Sequence, residues 1–570
     1  MGKLRMPRLL HDGMVLQQKR EVHIWGWDEP GRMVTVCFRG METVETEAKT
    51  DAAGNFSLYL PSLSPGGPFC LTVRDSAKEE VVMTDVWVGD VWFCAGQSNM
   101  ELPMSWVAPY YEEEIADCDN PAIRTFKITP HAEFHAPFAE PLSGKWKAAN
   151  RGNILQFSAC AYFFAKKWYE QSKVPTGILN VSLGGAKIEA FMSKDMLAGF
   201  DDCLLEAFTY ADDCLRESRL RKNEEDTKSW YEKLNQEDRG IINGWQRGEA
   251  WNQQPARQQK EAARQQEEAA RQQKEAAWQQ KEAARQQKKA AWQQEAVREQ
   301  EMEVPCFLRD TVYAGMSGSL WLERTFCVPE SFQMQDTILR LGTLVDADEV
   351  YVNGKLIGCT AFQYPERRYR VEAGTLKEGE NTLVIRLIIE QGEGRITPGK
   401  PLDIGTPETK VSLAGTYRVR VGADLQKKPP VDFVESRATG LYNGMVAPCH
   451  AYTIAGFLWY QGEANAHMPG AESYADKMKR LITGFRKQWQ EGDLPFCYVQ
   501  LPDFKIGTYY GNEEERSSDW DALRAQQESV LSLKNTGMIR TMDIGEENDL
   551  HPHNKKEVGE RLALLADRLY

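Results

Sequence analysis

Apolar residues occur along this chain in three rhythms, and each rhythm predicts a different kind of element. Up to about residue 84 they alternate with polar ones. EVHIWGWDEPG, MVTVCFRG, NFSLYLPSL and FCLTVRD read as short strands separated by Gly, Pro and Asp. Together they predict a small antiparallel β-sandwich over residues 1–84. From 86 to 94 the run is largely apolar, which predicts a buried strand, and Gly96 permits a sharp turn just after it. ILQFSACAYFFAKKWYEQSK has apolar residues at helical spacing. VPTGILNVSLGGAKIEAFMS reads as a strand over 177–183, followed by a glycine turn. Residues 85–204 therefore predict the first part of an open α/β sheet.

Residues 205–305 change character. The chain is charged and helix-prone to about 245, and from 257 the heptad RQQKEAA recurs with small changes until about 296. Its residues are strong helix formers. Heptad spacing invites a coiled coil, but the apolar positions are paired alanines plus Trp278 and Trp292, a thin seam. The expectation is a single solvated helix inside a surface insertion, with a partner-binding helix as the alternative. Alternation returns over 306–428, in GSLWLERTFCVP, DTILRLGTLVDADEVYVNGKLIG, RRYRVEAGTL and NTLVIRLII, with a turn at Asn353-Gly354. A jelly-roll-like β domain is expected there. From 429 to 570 buried strands and amphipathic helices resume: IAGFLWY, PFCYVQL and MIRTMDI as strands, 473–490 and 520–531 as helices.

Composition narrows the function. A chain of 570 residues is too long for one core, so several domains are expected. A net charge of −14 argues against nucleic acid, whose phosphates need a basic face. No run of about 18 apolar residues occurs, so no membrane helix is expected. The N-terminus lacks an apolar stretch long enough for a signal peptide, and the expectation is a cytoplasmic protein. The 12 cysteines show neither CxxC nor zinc spacing. No metal or organic cofactor is expected.

The candidate chemistry lies at strand ends. Ser98 follows the 86–94 strand, where an open α/β sheet places its ligands and where a neighbour can deprotonate the hydroxyl. The competing reading makes Ser98 a helix cap, with Glu101 completing a capping box. Gly184 and Gly185 could bring a backbone N–H close to a substrate oxygen, or could be a plain turn. Glu189 could orient neighbours, cap or face solvent. Asn465, after the strand IAGFLWY, could donate to an oxyanion or cap the next helix. His551 follows the last strand and precedes Pro552 and a helix, and His553 competes with it as base.

GQSNME after a GDVW strand resembles the nucleophile block of the sialate O-acetylesterase family, a branch of the SGNH hydrolases. The Gly184-Gly185 turn, QGEAN at 461–465 and DLHP at 549–552 resemble its later blocks in order. VLQ…VHIWGWDEPG resembles its N-terminal β module, and 306–428 resembles the galactose-binding-like domain inserted in it. The resemblance implies a flavodoxin-like SGNH three-layer sandwich, interrupted by the jelly-roll domain and completed by residues 429–570. It implies Ser98 as nucleophile and His551 as base. It implies an oxyanion hole of the Ser98, Gly184 and Gly185 amides and the Asn465 side chain, with Gln97, Gln461 and Glu463 lining the substrate. Family members carry Asp three residues before the catalytic His, but here that residue is Asn548. Asp549 is the leading candidate for the orienting acid. Asp543 is the alternative, and a backbone carbonyl orienting a Ser–His dyad is a third. The implied substrate is a small or oligosaccharide acetyl ester, sialate first, with plant polysaccharide fragments or a catalytically dead carbohydrate binder as alternatives.

Overall fold

A computed structural model describes residues 3–248, 300–468, 470–510 and 513–570. The heptad repeat at 257–296 lies outside the described residues. The chain divides into two compact units, one of Met1–Leu220 with Asp432–Tyr570 and one of Arg221–Val431.

The first unit is built on a sheet of parallel strands. In spatial order they are Thr536–Ile539, Phe496–Val499, Gly456–Tyr460, Glu80–Gly96, Thr176–Ser182 and Asn120–Lys127, and Trp146–Ala149 adds an antiparallel edge. Both faces are covered by helices, as a parallel sheet requires. Trp92 packs on Phe164 and Trp168 of helix Ala159–Ser172 on one face. Phe93 packs on Phe485 and Trp489 of helix Tyr474–Trp489 on the other. Consecutive residues of one strand thus serve opposite cores.

The five strands expected of the hydrolase sheet, numbered along the chain, stand in the order 2-1-3-4-5, the flavodoxin-like order. Asn120–Lys127, not expected from the sequence, extends the sheet beyond Thr176–Ser182. The strand carrying Ser98 lies between Thr176–Ser182 and Gly456–Tyr460, so the loops after both flank it. The last strand is shorter and earlier than MIRTMDI suggests, because Thr536–Ile539 ends the ladder and Met542–Ile544 is a 3-10 turn.

Val22–Trp27 and Asn55–Leu60 form a two-stranded sheet of their own, but the other N-terminal strands join the main sheet. Glu80–Gly96 is one strand of 17 residues. Its first part pairs antiparallel with Gly66–Asp75 and parallel with Val15–Gln17. Its last part pairs with Thr176–Ser182 and Gly456–Tyr460. It runs through the boundary expected at 84/85, and its partners change only past Gly89, where Val15–Gln17 ends its pairing and Thr176–Ser182 begins.

The second unit holds a six-stranded antiparallel sheet and a four-stranded one around a core of Leu320, Leu322, Ile385, Leu387 and Val419. Asn353 and Gly354, at φ 49° and 80°, close the two-residue hairpin between Val352 and Lys355, the geometry an Asn-Gly turn favours. This unit reaches back before residue 306, since Gln300–Val304 pairs with Gly415–Leu425. Helix Asp213–Glu237 leads into Asp238, a fully buried cap. Asp238 Oδ1 accepts from the Gly240 and Ile241 N–H and from Trp321 Nε1. Its Oδ2 accepts from Ser319 Oγ at 2.6 Å and Arg386 Nε at 2.9 Å.

Candidate active site

The Ser98 turn depends on a close backbone approach. Gly96 has φ 139°, and a Cβ there would sit 2.1 Å from the Tyr460 carbonyl oxygen on the neighbouring strand. Only glycine fits such a position. The Gln97 N–H donates to that carbonyl at 2.9 Å, and the Leu183 N–H donates to Gly96 O at 3.0 Å. Three strand ends are locked together where the chain enters the short helix Ser98–Glu101. Gln97, not Ser98, occupies the cap position, without a side-chain cap bond. The capping-box reading therefore fails. Glu101 instead accepts from the Gly184 N–H at 2.7 Å and from Lys127 Nζ at 3.2 Å.

Ser98 is half-buried. A Cβ on Gly184 would lie 3.4 Å from Ser98 Cβ, so the glycine turn abuts the serine. Asn99, fully buried, links the serine turn to the histidine loop: its Nδ2 donates to the Leu550 carbonyl at 3.1 Å and to Glu463 Oε1. Ser98 and His551 are thus the chain neighbours of a hydrogen-bonded pair. His551 is buried, with the Trp106 ring edge-on at 6.2 Å.

The acids separate clearly. Asp549 is buried, and its Oδ1 accepts from the His551 backbone N–H at 2.8 Å, tightening the turn that carries the imidazole. Asp543 is on the surface, clasped by Arg561 at 2.6 and 2.8 Å, and that guanidinium holds its carboxyl below the usual range. His553 pairs through Nδ1 with Glu546 at 2.7 Å and packs on Tyr110.

The remaining predicted residues form the frame behind these. Gln97 Oε1 accepts from the Ala464 N–H at 3.1 Å. Gln461 Nε2 donates to Asn465 Oδ1, and its Oε1 accepts from Tyr474. Asn465 Oδ1 also accepts from the Ile188 N–H, and its Nδ2 donates to Glu189 at 2.9 Å. Glu189 is not a surface residue: it is buried and ion-paired with Lys477 at 2.6 Å. Gly185 is exposed, and its carbonyl accepts from Ser436 Oγ at 3.3 Å. A cavity of about 470 Å³ lined by Ala108, Ile115, Arg151 and Leu155 includes none of the predicted site residues.

Asn99, Lys555 and Trp106 were not singled out from the sequence. The signal for Lys555 was present, however. A lysine at the first position of helix Lys555–Leu569 opposes the positive end of the helix dipole, so something else must hold it there. Lys555 is fully buried, and its Nζ donates to Asn99 Oδ1 at 2.6 Å. Burial pulls its ammonium down to about 8, against the upward pull of nearby Asp549, Glu463 and Glu546. The adjacent Cys160 thiol, pushed up to about 12 by burial, stays neutral and adds no charge there. Burial likewise raises the Glu463 carboxyl, which the Asn99 hydrogen bond opposes.

Residues 88–229 and 431–567 match the family described as carbohydrate esterase, sialic acid-specific acetylesterase. Over those two segments, just under half of the chain, the protein is similar to that family of hydrolases. The sialate O-acetylesterase of Mus musculus is 27% identical over 209 residues, 34% of this chain and 38% of that protein. The Homo sapiens sialate O-acetylesterase is 29% identical over 202 residues, 33% of this chain and 39% of that protein. The matches thus span under two fifths of these curated relatives. A carbohydrate acetylesterase from Xanthomonas citri shares the fold, at 22% identity and TM-score 0.55, over 100% of this chain and 75% of that one. Among the described residues no helix is long and apolar enough to cross a membrane.

Proposed function

We propose that this protein is a serine carbohydrate O-acetylesterase acting on O-acetylated sugars, sialate esters first among them. One observation carries the reading. Asn99 bonds to the Leu550 carbonyl and so holds Ser98 and His551, one residue away on either side, at the same end of the sheet. In the proposed reaction His551 takes the Ser98 proton and the oxygen attacks the acetyl carbonyl. The Ser98 N–H, at a helix start where the helix itself does not use it, receives the oxyanion together with the Gly185 amide. The Gly184 amide and the Asn465 side chain join only if Glu101 and Glu189, which hold them here, let go. His551 then protonates the departing sugar hydroxyl, and water releases acetate by the same steps reversed. Asp549 is the orienting acid in this scheme. The antiparallel second unit is read as a galactose-binding-like module. The test is acetate release from a panel of O-acetylated sialic acids, hexoses and xylo-oligosaccharides. Release from acetylated sugars supports the reading, and a purified folded protein that releases none overturns it.

A further inference from the structure

We infer that Lys555 is a positioning residue for the esterase reaction: through Asn99 it fixes the Ser98 turn against the His551 loop. The inference rests on the serine esterase reading above. The Asn99 amide joins three segments that the fold brings to one place. Its own helix carries Ser98, its Nδ2 reaches the Leu550 carbonyl beside His551, and the same Nδ2 reaches Glu463 in the Gln461–Asn465 loop. Those two contacts need the amide nitrogen on one particular side. An amide has two nearly isosteric orientations. The Leu550 carbonyl can only accept and asks for the nitrogen on its side, and the partner on the oxygen side completes the choice. That partner is Lys555. An ammonium has three donors and no acceptor, so it admits only the amide oxygen. A neutral amine carries a lone pair and would accept either orientation.

The setting shows that the charge is held at a cost. Lys555 is fully buried, and among the described residues no carboxylate salt bridge accompanies its Asn99 hydrogen bond. Its aliphatic stem places Nζ 5.6 Å from the Tyr460 ring centre on the neighbouring strand. The titratable groups facing it are Glu463 from the loop after Gly456–Tyr460, Asp549 and Glu546 from the histidine loop, and the neutral Cys160 thiol from helix Ala159–Ser172. With burial holding its proton affinity near pH 8, the orienting charge is lost just above neutrality.

The experiment compares wild type with Lys555→Met, which keeps the stem and removes the charge. Both are assayed on one acetyl ester from pH 6 to 10, with folding checked by thermal melting. The expected result for Lys555→Met is kcat lower by about 10²-fold, the scale of a misplaced reacting group, with KM nearly unchanged. The wild-type kcat should also fall above pH about 8, and the variant should lack that limb. A folded Lys555→Met with wild-type kcat overturns the inference. So does a wild-type kcat that stays flat from pH 7 to 10, which needs no variant and decides the matter if Lys555→Met does not fold. A wild type that releases acetate at no pH overturns this inference and the esterase reading together, whereas an active wild type with an equally active variant overturns this inference alone.

Discussion

Each unit of this protein buries a charged side chain at the start of a helix, and the two are treated differently. Asp238 in the second unit is saturated: five donors from a helix, two strands and its own cap converge on its two oxygens. Lys555 in the first unit has Asn99 as its hydrogen-bond partner. A fully satisfied buried network fixes one structure and little else. An under-satisfied one is less stable than it could be, and such groups collect where chemistry needs a group poised rather than at rest. The contrast separates a carboxylate that holds a fold from an ammonium that serves a site.

The comparison can be sharpened by substitutions, taken from the largest effect down. Ser98→Ala should reduce acetate release by about 10⁵-fold or more while leaving the melting temperature in place, because members of a catalytic unit fail together. Residual activity near wild type would remove Ser98 from the site. Asp549→Asn should cost about 10⁴-fold in kcat/KM, the scale seen when an orienting acid is lost. Asp543→Asn should cost little, since its carboxylate serves Arg561. Small losses in both would make the centre a Ser–His dyad.

On the structural side, Asp238→Ala should destabilise by about 3–5 kcal/mol, because five donors, Arg386 Nε among them, lose their buried acceptor. The kcat of the folded fraction should hold within about twofold. A selective loss of kcat without a fall in melting temperature would erase the distinction drawn between the two charges. The smallest effect concerns a third buried group, His450, packed between Trp489 at 4.7 Å and Tyr442 at 5.5 Å. Burial depresses its imidazole to about 4. The unfolded chain takes up a proton near pH 6.5 and the folded one does not until about 4, so stability is full above 6.5 and falls as pH drops through that window. The loss should approach about 3 kcal/mol by pH 4. His450→Phe should flatten this slope in urea titrations at pH 4.5 and 7, and an unchanged slope would assign the acid sensitivity elsewhere.

What could be read from sequence follows from how local each cause is. The buried strand before Ser98, the amphipathic helix Tyr474–Trp489 and the Asn353-Gly354 hairpin depend on residues a few positions apart, and each stands close to where the pattern put it. Thr43–Lys49 escaped, because an exposed edge strand of Thr, Glu and Lys carries almost no apolar signal. The change of neighbours along Glu80–Gly96 escaped for another reason, since it is set by pairing between segments far apart in the chain. At the site, the motif residues were visible because they cluster in short blocks. Asn99 and Lys555 meet across 456 positions, and no local pattern announces such a pair.

The unbroken Glu80–Gly96 strand has a consequence for anyone who wishes to move the catalytic unit onto another scaffold. A cut at 84/85 would shear one hydrogen-bonded ribbon lengthwise and leave the backbone of Val86, Val88 and Gly89 facing water where Phe69, Gly66 and Val15–Gln17 had covered it. The N-terminal strands therefore behave as a keel rather than a trailer. Amides on both sides of residue 85 should exchange with deuterium together, at the rate of global opening, and a portable version of the enzyme must begin near residue 1.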